Sequence, residues 1–164
     1  MKTLMIIRHA KSNWDNVLVT DMDRALNDRG KRDAPAMAQR LLKSGVRIDH
    51  FVSSPARRAR TTAELFAHEF GKDRGEIEFI PDLYHAPVQT FKEVIISLDD
   101  RFDHVAIFSH NPGITAFVNT LTSVRVDNMP TCGVFAVTSP VTHWSDFLGT
   151  GKEFWFFDYP KRES

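Results

Sequence analysis

Arg8-His9-Ala10 follows directly on the apolar run Leu4-Met5-Ile6-Ile7, which reads as a strand from Thr3 to Ile7. An imidazole and a guanidinium are thereby delivered to a strand's C-terminal end, the edge at which open α/β sheets bind their ligands. Far along the chain Val105-Ala106-Ile107-Phe108 runs into Ser109-His110-Asn111-Pro112-Gly113, so a second histidine is expected at the same edge. A nucleophilic imidazole beside a fixed cation is equipment for phosphoryl transfer.

A third segment strengthens this reading. Ser54-Pro55-Ala56-Arg57-Arg58-Ala59-Arg60-Thr61-Thr62 places three arginines in the first turns of an expected helix, where the positive end of the macrodipole disfavours cations. A solvated face accounts for Arg57 and Arg60; for at least one of the three, an anion bound at that terminus is the better explanation. His110 also precedes a helix start, with Asn111 as the expected N-cap and backbone N–H groups free to meet phosphate oxygens. Taken singly, His9 reads as a strand-capping histidine and His110 as a buried one bonded to backbone. Together with Arg8 and an arginine after Ser54-Pro55 they form a constellation that chance assembles poorly.

The elements that must position these residues alternate between strand and helix, which argues for a layered α/β sheet with helices on its faces. After a polar segment over 10–25, a helix is expected over about 28–44, with Pro35 kinking or breaking it. His50 to Ser53 reads as the second strand, followed by Ser54 as N-cap and Pro55 at the first helical position of a helix ending near Gly71. Glu76 to Ile80 reads as a strand, Pro81 to Pro87 as a loop carrying Tyr84 and His85, and Val88 to Leu98 as a helix. His104 to Phe108 has the continuous apolar character of a central, doubly covered strand, and Asn111-Pro112 opens a helix to about Leu121. Gly133 to Val137 and Phe154 to Tyr159 complete the set as antiparallel partners at one side, the aromatic tail being read as a core strand with edge contacts. The expected fold is a three-layer α/β/α sandwich with a mainly parallel central sheet.

Composition narrows the function. The 164 residues suit one domain spanning 1–164, and 21 basic against 21 acidic residues leave no footprint of a general nucleic-acid or anionic-membrane binder. No stretch approaches the roughly 20 apolar residues of a membrane span, and the N-terminus lacks the h-region of a secretory signal, so cytoplasm is the expected compartment. The lone Cys132 permits neither an intrachain disulfide nor a multi-cysteine zinc site. Thr138 stands where a cysteine phosphatase loop needs its arginine, and no Gly-rich loop with Lys-Ser/Thr is present. His50, His68, His104 and His143 show no tight ligand spacing, so no metal and no cofactor is expected.

The chain resembles the histidine phosphatase superfamily, the phosphoglycerate-mutase-like group, whose signature is an Arg-His-Gly-like start; here Ala10 replaces the glycine. The family's Ser-Pro-x-x-Arg-Ala-x-x-Thr pattern is met by Ser54, Pro55, Arg58, Ala59 and Thr62, and this register selects Arg58 over its neighbours. Ser109-His110-Asn111-Pro112-Gly113, Arg24-Ala25-Leu26 with Gly30, and Leu83-Tyr84-His85-Ala86 are similar to the short phosphohistidine phosphatase branch. The resemblance implies a phosphoglycerate-mutase-like fold, His9 as nucleophile, and Arg8, Arg58 and His110 around the phosphoryl group. Arg24 is expected as a third cation or as an ion-pair partner of Asp21 or Asp23, and Ser12, Asn13, His85 and Asn111 as further substrate contacts. Trp14 either lines the site mouth or covers the first loop.

One departure bears on the substrate. Mutases and phosphomonoesterases of the superfamily place a carboxylic acid in a region that falls near residues 82–93, where this chain offers Asp82, His85 and Glu93 without a familiar acid motif. Asp82 reads as a turn residue and Glu93 as a solvated helix position. A missing acid matters less when the leaving group is imidazole, with an ordinary pKa of about 6.5, than when it is an alkoxide. The expected activity is therefore metal-independent dephosphorylation of a phosphohistidine-bearing protein, with phosphate or oxyanion analogues as site ligands. The alternatives are a phosphatase of small phosphomonoesters using His85 or a nearby carboxylate, and a phosphate-binding module without turnover.

Overall fold

The computed structural model describes residues 1–14 and 17–162. Six strands, β1 (Lys2–Arg8), β2 (His50–Ser53), β3 (Ile77–Phe79), β4 (His104–Ser109), β5 (Val134–Ser139) and β6 (Glu153–Asp158), form one sheet in the order β3-β2-β4-β1-β5-β6. The first four in that order run parallel, while β5 pairs antiparallel with both β1 and β6. Alternation along β1 explains the layering: Leu4 and Ile6 enter one apolar cluster and Met5 and Ile7 the other. Helices α1 (Asp28–Lys43) and α2 (Arg57–Glu69) cover the Met5 side, α3 (Val88–Ile96) and α4 (Gly113–Val118) the Leu4 side. The result is the three-layer α/β/α sandwich with a mainly parallel sheet. No helix of the described residues is long and apolar enough to cross a membrane.

Register brings the chemistry to one place. Arg8 lies opposite Ser109, and Ser53 opposite Phe108. The ladder continues one step further through His9 N–H to Ser109 O at 3.2 Å and Ser54 N–H to Phe108 O at 3.0 Å. His9, Ser54 and His110 therefore leave the sheet side by side.

Several local expectations are corrected. α2 starts at Arg57, with Ala56 as an N-cap that lends no side chain; Ser54 does not cap it, because its Oγ accepts the Ala56 N–H and faces His110 instead. α4 starts at Gly113 and ends at Val118. Asn111 is not its N-cap: its amide donates to Asn128 Oδ1 and Met129 O, and its Oδ1 accepts from Thr115 Oγ1. α1 runs unbroken across Pro35, which costs the Lys31 carbonyl its helical partner on an exposed turn. β6 is the outermost strand, with Phe154 and Trp155 exposed, so the aromatic tail is an edge strand.

Two glycines let backbone approach backbone near the site. A Cβ on Gly113 would lie 1.8 Å from Ala86 O, and one on Gly30 would lie 2.1 Å from Lys11 O. The second contact belongs to a strap in which residues 11–13 bond residues 25–27 through Asn27 N–H to Lys11 O and Asn13 N–H to Ala25 O. Gly113→Ala and Gly30→Ala should each destabilise the fold by about 1–3 kcal/mol, the usual cost of overpacking, whereas Gly75→Ala, which meets nothing within 4 Å, should not. Urea unfolding checks this; equal midpoints for all three variants would contradict the close approaches.

Candidate active site

A cup of about 170 Å³ opens at the C-terminal edge of the parallel strands, lined by Arg8, His9, Lys11, Ser12, Trp14, Asp21, Arg24, Arg58, His85, His110, Asn111 and Thr131. Of the residues expected from sequence, the structure brings eight into this lining, namely His9, Arg8, Arg58, His110, Arg24, Ser12, His85 and Asn111. Asn13 is placed outside it, in the neighbouring groove with Leu26 and Asn27.

His9 and His110 form the floor, 6% and 1% exposed, with ring centroids 5.2 Å apart. His9 Nδ1 lies 2.7 Å from Ala10 O. A carbonyl only accepts, so Nδ1 carries the proton and Nε2 keeps its lone pair, the state a nucleophile needs. Burial, only partly offset by that carbonyl, together with the charges of Arg58, Arg8 and Arg24, pushes the His9 imidazolium down to about 3. His110 Nε2 meets Ser54 Oγ at 2.7 Å. Its protonated form is likewise disfavoured, first by burial and then by the neighbouring His9, Arg58 and His85.

Among the described residues, three side-chain nitrogens are buried without a partner, and all three belong to residues of this cup: Arg8 Nε, Arg58 Nε and His110 Nδ1. Buried polar groups in folded proteins are almost always paired, and each orphan costs about 1–3 kcal/mol. Their coincidence around one imidazole is what a site for a polyoxygen anion requires.

Each arginine is aimed by its own anchor. Arg8 donates through NH1 to Met129 O at 2.8 Å, on the loop before β5. Arg58 is the inward member of its trio, 2% exposed, while Arg57 and Arg60 are exposed. Thr62, one turn on, donates to Arg58 O and accepts the Ala10 N–H, tying α2 to the end of β1. Arg24 lines the cup, donating to Ser12 Oγ at 2.6 Å, and pairs with Asp21 Oδ1 at 3.0 Å. The Trp14 ring lies against its guanidinium, 3.5 Å from centroid to Cζ.

Sequence reasoning missed the centrality of Asp21, noting it only as a partner for Arg24. Its carboxylate accepts from Arg24, Arg58 NH2, Tyr84 OH and His85 Nε2, and its backbone oxygen accepts from Arg58 NH1. Burial alone would raise its carboxyl, but the hydrogen bonds from Tyr84, Arg24 and Arg58 and the charge of Arg58 outweigh it and hold it well below the usual carboxylate range. The Asp21-x-x-Arg24 spacing was the only local signal; the partners on α2 and in the 84–85 loop are distant in sequence. Thr131 and Met129 were missed for the same reason. His85 stands on the rim with its side chain 50% exposed and its backbone at φ 53°, a strained value for a non-glycine.

This geometry makes three outcomes testable. Arg58→Ala should lower kcat and kcat/KM far more than Arg57→Ala or Arg60→Ala, because only Arg58 turns its guanidinium into the cup; equal losses would mean a diffuse basic patch. The ¹⁵N shifts of the His9 ring should report a neutral imidazole at about pH 5, below the ordinary value of about 6.5. Because the unfolded chain takes up protons that the fold refuses at His9 and His110, stability must fall as pH drops from about 6.5 toward 3. Titration of His9 near 6.5 would contradict its desolvation.

The model of the histidine phosphatase superfamily (branch 1) matches residues 4–86. Protein At3g52155 of Arabidopsis thaliana, a chloroplast protein, is 36% identical over 84 residues, 51% of this chain and 38% of its own length. The chain spans 38%, 30% and 35% of the first curated relatives it matches. Among solved structures, the phosphohistidine phosphatase SixA of Agrobacterium tumefaciens has a TM-score of 0.80 at 24% identity, over 97% of this chain and 98% of that one. A tungstate complex of the protein histidine phosphatase SixA matches with a TM-score of 0.80 at 22% identity, over 96% of this chain and 97% of its own. The two structures share the fold over nearly the whole chain, and the family match covers the strand that ends in Arg8-His9 and the helix that carries Arg58: the chain belongs to the histidine phosphatase superfamily.

Proposed function

We propose that this protein is a metal-independent phosphatase that removes the phosphoryl group from phosphohistidine in a protein, through a covalent phosphohistidine on His9. The carrying observation is the trio of unpartnered buried nitrogens on Arg8, Arg58 and His110 beside a neutral, correctly protonated His9. His9 Nε2 attacks phosphorus, the bond to the leaving group breaks, and water then displaces His9 to release phosphate. Arg8, Arg58 and His110 neutralise the equatorial oxygens as charge develops, a task that guanidinium groups perform without a metal ion. Arg24, Ser12, His85 and Asn111 contribute substrate contacts around this centre.

The substrate class is argued from what lines the cup. Among its lining residues Asp21 is the only carboxylate, and it is held ionised by hydrogen bonds from Tyr84, Arg24 and Arg58, so it has no proton to give. A leaving group must then depart with little help, which suits imidazole better than an alkoxide. The likeness to SixA structures supports the same reading. A second reading, hydrolysis of small phosphomonoesters, draws on His85, whose half-exposed imidazole on the rim would protonate the outgoing oxygen.

Rates on a phosphohistidine protein, phosphoserine, phosphotyrosine and a sugar phosphate separate these readings, with a chelator present throughout. Phosphohistidine and aryl phosphates should react about 10²–10⁴-fold faster than alkyl phosphates, the usual contribution of a general acid, and chelation should change nothing. A flat dependence on leaving group that becomes steep in His85→Ala would hand the assignment to small esters. No turnover of any substrate would leave a phosphate-binding module, and activity restored by a divalent metal would overturn metal independence.

A further inference from the structure

Asp21 is placed as no bystander would be. Its groups take hydrogen bonds from four side chains on different parts of the chain: Arg24 just after it, Arg58 on α2, and Tyr84 and His85 in the loop before α3. Both terminal nitrogens of Arg58 go to this one residue, NH1 to its carbonyl at 2.6 Å and NH2 to Oδ2 at 3.0 Å. A planar guanidinium gripped at both outer nitrogens cannot rotate about its stem. Its third nitrogen, Nε, is the one left buried and unpartnered beside His9 and His110.

An anion inside a phosphate cup can act in two ways. As a stand-in for substrate it would be displaced when phosphate arrives, and the site would work better without it. As a brace it would stay, holding the cations where the transition state needs them. The bonding favours the brace: Oδ2 accepts from Arg58, Tyr84 and His85 together and Oδ1 from Arg24, so the carboxylate is fully engaged by the fold, and three other side-chain nitrogens remain free for an oxyanion while Asp21 stays where it is.

We infer that Asp21 is a positioning residue of the phosphoryl site, fixing the aim of Arg58 and Arg24 and locking the 84–85 loop to them. The inference rests on the reading of His9 as nucleophile. It has a signature that mere structural support lacks. Removing the only carboxylate from a lining that also holds Arg8, Lys11, Arg24 and Arg58 raises the attraction of the cup for any anion. The same change loosens the arginine whose alignment matters most at the transition state.

The test measures turnover of an aryl phosphate and inhibition by tungstate for the wild type, Asp21→Asn, Tyr84→Phe and the double variant, with His9→Ala alongside. Asp21→Asn should lose about 10–100-fold in kcat, the cost of a misplaced catalytic contact, while tungstate binds as tightly or more tightly. Tyr84→Phe, which removes one donor from the brace, should lose kcat in the same direction by less, and should add little to Asp21→Asn because the two act through one contact. Faster turnover with tighter tungstate would make Asp21 a displaceable plug, and unchanged kcat, or kcat and tungstate affinity lost together, would reduce it to a fold contact. Full activity in His9→Ala would instead overturn the nucleophile, whatever Asp21 does.

Discussion

Three parallel strands end at one level of the sheet, and the residues one step past the ladder, His9, Ser54 and His110, have nowhere to go but toward each other. The register is enforced by burial, since β1 and β4 are covered on both faces and a slip of one residue would exchange their two apolar clusters. Once that level is set, the remaining groups are hung from it. Cys132, buried at φ 60°, donates its N–H to Arg8 O and His9 O and so seals the end of β1 from the β5 side. Thr62 seals it from the α2 side through the Ala10 N–H.

The cost of this arrangement is visible in the site itself. Three buried nitrogens lack partners, two histidines are held in a place that rejects their charged forms, and His85 sits at a backbone angle few side chains adopt. A fold selected for stability alone would satisfy those groups. Concentrated at the mouth of one sheet edge, they read as stability given up for a preorganised anion site, in which donors stand ready without reorganising when charge develops. Asp21 limits that cost by pairing the outer nitrogens of Arg58 and the Nε of Arg24.

Much of this was legible in the sequence, because apolar runs that end in Arg8-His9 and Ser109-His110 encode both a strand and the side chains delivered at its end. Among three neighbouring arginines the resemblance to the family's pattern pointed to Arg58, and the structure buries it while exposing Arg57 and Arg60. The misses share a cause. Ser54 and Asn111 have the side chains of helix caps, but each is claimed by a partner distant in sequence, His110 for one and the Asn128–Met129 loop for the other. Asp21 was legible only as a partner for Arg24, because the other three of its four side-chain partners come from other elements and no local spacing encodes them. Pro35 suggested a break that the packing of Ala34, Met37, Ala38 and Leu41 against the sheet overrode.

The central claim is that His9 carries the phosphoryl group during turnover. Enzyme mixed with a ³²P-labelled aryl phosphate, quenched in alkali where phosphohistidine survives, and digested for peptide mapping tests it directly. One labelled peptide is expected, containing His9 and absent from His9→Ala, with label that chases into phosphate when unlabelled substrate is added. Label on any other residue, or full turnover by His9→Ala, would contradict it.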